Sequence, residues 1–151
     1  MSQAKLLKIY IDADVLFRAA TASHDYTAAL VALRMSEFTL IDLVTAVHTV
    51  EEVVRNLERF LPSQTPALLQ LIARSVRTMD DPPAMLLQAY HDQAHWKDVV
   101  NLAAAVQAQA QLLITYNVRD YYPVSNVPQI MTPGDFVAVS RQGIYQLFST
   151  S

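Results

Sequence analysis

Two aspartates one residue apart, Asp12 and Asp14, follow directly on an apolar run that begins at Leu6. Two carboxylates this close each raise the cost of ionising the other, and a divalent cation is the usual way of holding both charges. Further acids stand at the edges of other apolar patterns: Glu51 and Glu52, Asp98, and Asp120 beyond the run Leu112 to Tyr116. Carboxylates delivered from separate elements to one place are what a hard cation requires, since Mg²⁺ takes oxygen ligands at about 2.1 Å and keeps several waters. Each acid also has a plainer role open to it. Asp12 and Asp14 can end a strand and cap the next helix, Thr49 with Glu52 reads as a capping box, and Asp98 in a first helical turn complements the helix dipole. Only the set is informative.

The elements that must position these acids follow from periodicity. Leu6 to Phe17 opens as a buried strand rich in Ile, Tyr and Val, suited to the centre of a parallel sheet with both faces covered. Open α/β sheets bind ligands at the carboxyl ends of their strands, which is where Asp12 emerges. A helix follows from about Val15 to Ala22 and a second from about Tyr26 to Met35. Phe38 to Val44 reads as a strand, with a helix open as its alternative. Val50, Val53, Val54, Leu57, Phe60 and Leu61 make a helical stripe that Pro62 ends, and Pro66 suits the first turn of the next helix. Val76 to Met79 reads as a short strand, Ala84 to His91 as a helix, and Lys97 to Gln109 as a helix with a stripe of small residues. Leu112 to Tyr116 is a second buried strand, and Gln129 to Met131 a strand end before a short helix near Pro133. Strands alternating with helices give an α/β fold, three layers of α/β/α around a mainly parallel sheet.

Composition narrows the chemistry. The 151 residues fit one domain, 1–151, and 52% apolar content supports a substantial core. The absence of cysteine excludes disulfides and thiolate ligands, so any metal must be held by oxygen or imidazole. Two glycines, Gly134 and Gly143, cannot build a dinucleotide fingerprint or a P-loop. No run approaches the roughly 18 apolar residues of a membrane span and no signal-peptide pattern opens the chain, so a cytoplasmic protein without membrane association is expected. The net charge of -3 gives no electrostatic case for a nucleic-acid partner. The apolar surplus favours a homodimer.

Four segments in order, Ile11 to Leu16, Glu52 to Leu57, Asp98 with the run Leu102 to Ala105, and Ile114 to Tyr121, resemble PIN domains, a family of small metal-dependent nucleases that includes toxins of toxin-antitoxin pairs. The resemblance spans roughly residues 9 to 136. It implies a PIN-like fold, Mg²⁺ or Mn²⁺ held by Asp12, Glu52, Asp98 and Asp120, and Thr115 as the hydroxyl residue at the strand end. It also implies hydrolysis of single-stranded RNA and, for a toxin, an antitoxin partner. Asn117 and Arg119 would help to position substrate, and Arg18, Arg55, Arg59 and Lys97 could supply further positive charge. The chain departs from the family where Ala13-Asp14 replaces the usual Thr-Asn, which makes Asp14 an additional candidate ligand, and where Asn117 replaces an Asp found in many members. Glu51 rivals Glu52, because both lie off the apolar stripe.

The implied chemistry is metal-assisted phosphodiester hydrolysis, in which the ion lowers the pKa of a bound water and offsets charge on the phosphate. Two alternatives stand beside it. Asp12-x-Asp14 after an apolar strand also resembles phosphatases of the haloacid dehalogenase class, with Asp12 as covalent nucleophile. A PIN-like fold without turnover would serve as a binding module.

Overall fold

The computed structural model describes residues 6–21 and 27–149, so the expected helix boundaries at Ala22 and Tyr26 lie outside the described residues. Its frame is a five-stranded, wholly parallel sheet of β1 (Lys8–Ile11), β2 (Asp42–Ala46), β3 (Arg77–Met79), β4 (Leu112–Ile114) and β5 (Gln129–Met131). The strands lie in the order β3-β2-β1-β4-β5. The chain therefore builds outward from β1 on one side, returns, and builds outward on the other. The gap beyond the carboxyl ends of β1 and β4 is the switch point of the sheet.

Burial explains why these short runs are strands. Ile9, Tyr10 and Ile11 are each at most 1% exposed, and their alternation sends Ile9 and Ile11 into one core and Tyr10 into the other. The first core, filled by Leu, Ile, Val and Phe, packs α1 (Ala13–Ala20), α2 (Thr27–Glu37), α3 (Val47–Phe60), α4 (Thr65–Ser75) and α7 (Pro133–Ser149) against the sheet. The second packs α6 (Val99–Gln107), with Leu87 of α5 (Ala84–Ala89) at its margin. Small side chains dominate there: Ala104, Ala105, Ala108 and Ala110 are buried with Leu102, Leu113 and Tyr10. Short side chains let α6 lie close to the strands, which brings a polar group on that helix within reach of the end of β1.

Three expectations need correction. The second strand begins at Asp42, not Phe38, because α2 runs on to Glu37 and closes in a Schellman turn: Leu40 N–H donates to Met35 C=O and Thr39 N–H to Ser36 C=O, with Thr39 at φ 58°. Phe38 and Leu40 are left exposed on that turn. Gln109, at φ 59°, ends α6 in the same way, with Ala110 N–H donating to Ala105 C=O. Glycine usually takes this left-handed position, and a side chain there costs on the order of 1 kcal/mol. The last helix, expected to be short, extends from Pro133 to Ser149. Finally, α3 starts at Val47, so Thr49 lies inside its first turn and caps nothing; His48 N–H donates instead to Asp81 Oδ1 at 2.9 Å.

Candidate functional site at the sheet switch point

Asp12 ends β1 and caps α1. Its Oδ1 accepts from Ala13 N at 2.6 Å and Asn101 Nδ2 at 3.2 Å; its Oδ2 accepts from Tyr121 OH at 2.7 Å and Thr115 Oγ1 at 3.0 Å. An ionised carboxylate has about four acceptor positions, and here four donors fill them. The register explains the pairing with Thr115. Ile11 stands opposite Ile114, so the next residues on the two strands are neighbours, and Asp12 N donates to Ile114 C=O. Burial raises the pKa of Asp12, the donors from Tyr121, Thr115 and Ala13 pull it back, and the charge of Glu52 raises it.

Asp14, two residues further on in α1, sits in a different setting. Its Oδ2 accepts from Tyr116 N at 2.9 Å and Asn117 Nδ2 at 3.1 Å, with Thr115 Oγ1 at 3.4 Å, while its Oδ1 is buried with no partner among the described residues. Burial, followed by the charge of Asp12, pushes its carboxyl up to about 7, against the pull of backbone N–H donors and of Arg18. The two departures from the PIN pattern thus touch. Asp14 and Asn117 form a carboxylate-amide pair in which the acid stands on α1 and the amide beyond β4.

A cleft of about 440 Å³ opens between α1 and α3, lined by Asp14, Phe17, Arg18, Glu52, Asn56 and Phe60. Glu52 is half-buried on its wall, and Glu51 is exposed. Arg18 also lies over the Tyr116 ring, 4.6 Å from its centroid.

Asp98 occupies the N-cap position of α6, yet its carboxylate makes no capping bond. Burial and then the charges of Asp12, Asp120 and Glu52 push it up to about 7. Asp120 ends a single 3-10 turn, Val118–Asp120, whose backbone is tied to the loop before α6: His95 N donates to Asp120 C=O at 2.7 Å, and Ala94 bridges Tyr121. Arg119 is exposed beside it, as are Arg55, Arg59 and Lys97. Asp98 therefore feels the charges of acids from three other elements. Even so, among the described residues no three acidic or histidine side chains are grouped as a metal cage.

Asn101, like Tyr121, is a participant to which the sequence reading gave no role. It is 2% exposed on α6, three residues after Asp98, in the otherwise apolar run Val99 to Val106. A lone amide in such a run must find buried partners, and that was the available signal.

The donor chemistry suits a hard divalent cation: the participating side chains are carboxylates, neighbouring charges disfavour the ionisation of Asp14 and Asp98, and one buried carboxylate oxygen has no partner among the described residues. Neither a family model nor a curated protein matches the sequence. Among solved structures, the chain is similar to VapC20 of Mycobacterium tuberculosis, a sarcin-ricin loop cleaving toxin, with a TM-score of 0.52 at 16% identity over 70% of this chain and 86% of that one. The fold is thus the α/β, PIN-like architecture seen in that toxin.

Proposed function

We propose that the chain, read as one domain over residues 1–151, is a metal-dependent endoribonuclease acting on single-stranded RNA. The observation that carries this reading is geometric: Asp12 stands at the carboxyl end of β1, and Asp14, whose buried Oδ1 has no partner among the described residues, lines one cleft with Glu52 of α3. Burial and the charges of Asp12, Asp120 and Glu52 also push the carboxyl of Asp98 up to about 7. The likeness of fold to an RNA-cleaving toxin supports it. Asp12, Glu52, Asp98 and Asp120 would hold Mg²⁺ or Mn²⁺, with Asp14 as an additional ligand; the ion supplies a lower pKa for bound water and charge for the phosphate.

The chain's own residues do the rest. Thr115 and Tyr121 fix the orientation of Asp12 by donating to it. Asn117 does the same for Asp14. Exposed Arg119 and Lys97, next to Asp120 and Asp98 in sequence, are placed to meet a phosphate backbone, and a bound cation would offset the acidic balance of the chain. A toxin role brings with it an antitoxin partner and work in the cytoplasm. Exposed Phe38 and Leu40 offer apolar surface for a homodimer.

The test is cleavage of a fluorescently labelled single-stranded RNA, expected with Mg²⁺ or Mn²⁺ and absent in EDTA. Trp96, the sole tryptophan, is 75% exposed two residues before Asp98, so its fluorescence reports RNA binding without cleavage. Hydrolysis of a small phosphate ester with no cut in RNA would replace this reading with a phosphatase. Quenching of Trp96 by RNA with neither activity would leave a binding module.

A further inference from the structure

The buried polar groups behind the acids form one connected set. Asn101 Oδ1 faces two hydroxyls, Tyr10 OH at 2.9 Å and Thr49 Oγ1 at 2.8 Å, which are themselves 2.8 Å apart. Its Nδ2 faces Asp12 Oδ1 and Tyr121 OH, each at 3.2 Å. The amide orientation is fixed by this division, hydroxyl donors on one side and acceptors on the other. Ala46 N–H adds a donor to Tyr10 OH at 3.3 Å, where β2 passes into α3. Every member lies deep in the protein: Thr49 is 0% exposed, Tyr10 1%, Asn101 2% and Tyr121 6%.

The positions of these residues in the chain carry the argument. Tyr10 lies two residues before Asp12, Thr49 one helical turn before Glu52, Asn101 three residues after Asp98, and Tyr121 directly after Asp120. Each of the four elements that delivers an acid also delivers one member of the set. A hydrophobic core alone specifies such elements loosely along their axes, because sliding a helix over apolar side chains exchanges one contact for a similar one. Directional bonds to a single amide do not permit the slide without leaving a buried polar group unpaired, at about 1–3 kcal/mol each.

We propose that Asn101, with Tyr10, Thr49 and Tyr121, is a positioning frame that sets the register of the four acid-bearing elements and so the spacing of Asp12, Glu52, Asp98 and Asp120. Its consequence for metal binding rests on the nuclease reading; its effect on acid spacing does not. The frame residues are buried, and of them only Asn101 and Tyr121 hydrogen-bond to Asp12.

Thr49→Val is the discriminating variant, because it keeps the shape of the side chain and deletes a hydroxyl that meets Tyr10 and Asn101 and not a carboxylate. In the metal-free protein, the carboxyl ¹³C resonances of Glu52 and Asp98 are expected to move on this substitution, while those of the exposed Glu51 and Glu58 stay in place. With Mn²⁺, affinity measured by electron paramagnetic resonance is expected to fall about tenfold or more, the usual scale for residues that orient ligands, and kcat to fall with KM unchanged. Tyr10→Phe, which leaves the Thr49 to Asn101 bond intact, repeats the test should Thr49→Val fold poorly. A lower melting temperature with unmoved Glu52 and Asp98 resonances would overturn the frame, and so would an unchanged affinity where the wild type binds Mn²⁺. Moved resonances in a protein whose wild type neither binds Mn²⁺ nor cuts RNA would keep the frame and remove the nuclease reading.

Discussion

Asp12 and Asp14 leave the same strand two residues apart and enter opposite environments. Asp12 is 5% exposed with both oxygens filled by four donors; Asp14 crowds its donors onto one oxygen and leaves the other buried, with no partner among the described residues, at the edge of the α1–α3 cleft. The first is a charge held in place by the protein, the second a charge with coordination left to give. An ion meeting Asp12 must displace a donor, whereas Asp14 Oδ1 has no donor to displace among the described residues. Sequence adjacency says little about which role a carboxylate has, because the donors come from the far end of the chain.

The largest effect that would sharpen this contrast is expected from Asp12→Asn. Removing the central charge should lower RNA cleavage on the order of a thousandfold, the rate equivalent of several kcal/mol of metal-borne stabilisation. The fold should survive, since the amide can answer the Thr115 and Tyr121 hydroxyls once they rotate. Undiminished cleavage with a normal circular dichroism spectrum would remove Asp12 from the site. A smaller loss, about ten- to a hundredfold in kcat, is expected from Asp14→Asn, on the scale of a lost ligand or ligand-orienting group. Adding Asn117→Asp should recover most of it, because the pair would keep its hydrogen bond and its single charge in exchanged positions. A double variant no faster than Asp14→Asn would show that the charge is needed on α1 itself.

The smallest effect concerns pH. Asp14 and Asp98 titrate at about 7 in the folded protein against 3.8 in a model carboxylate, so between these values the folded state holds more protons than the unfolded state. Their stabilising contribution is therefore complete below the lower value and lost as pH rises through about 7. Metal-free protein should melt a few degrees lower at pH 8 than at pH 5, and Asp14→Asn should flatten the slope. A melting temperature that climbs over this interval would mean that the acids are dispersed or well solvated.

Much of the fold was legible because it rests on local signals. The buried runs at Ile9 to Ile11 and Leu112 to Ile114, and the helix opened by Pro66, need only periodicity and proline stereochemistry. The turns after α2 and α6 were not legible, since Thr39 and Gln109 take a conformation that sequence rules assign to glycine. Thr49 was misread for a different reason. Its spacing to Glu52 fits a capping box, but Tyr10 and Asn101, 39 and 52 residues away, claim its hydroxyl. Helical periodicity could not choose between Glu51 and Glu52 either; the packing of α1 against α3 leaves Glu52 on the cleft wall and Glu51 in solvent. Asp14 and Asn117 were visible as two separate oddities, and only the fold reveals them as one contact across 103 positions.

The strand order has a consequence for how the protein comes into being. The side chains that hold Asp12 belong to residues 89, 103 and 109 positions later in the chain, and Thr115 follows β4, the strand that pairs with β1 on its second side. Long-range parallel pairing of this kind forms late, after the loops between the strands have closed. On the ribosome, Asp12 is translated long before Asn101, Thr115 and Tyr121 exist. A nascent chain therefore carries its acids as separated, solvated residues, and whatever chemistry they perform together is withheld until Tyr121 has been made.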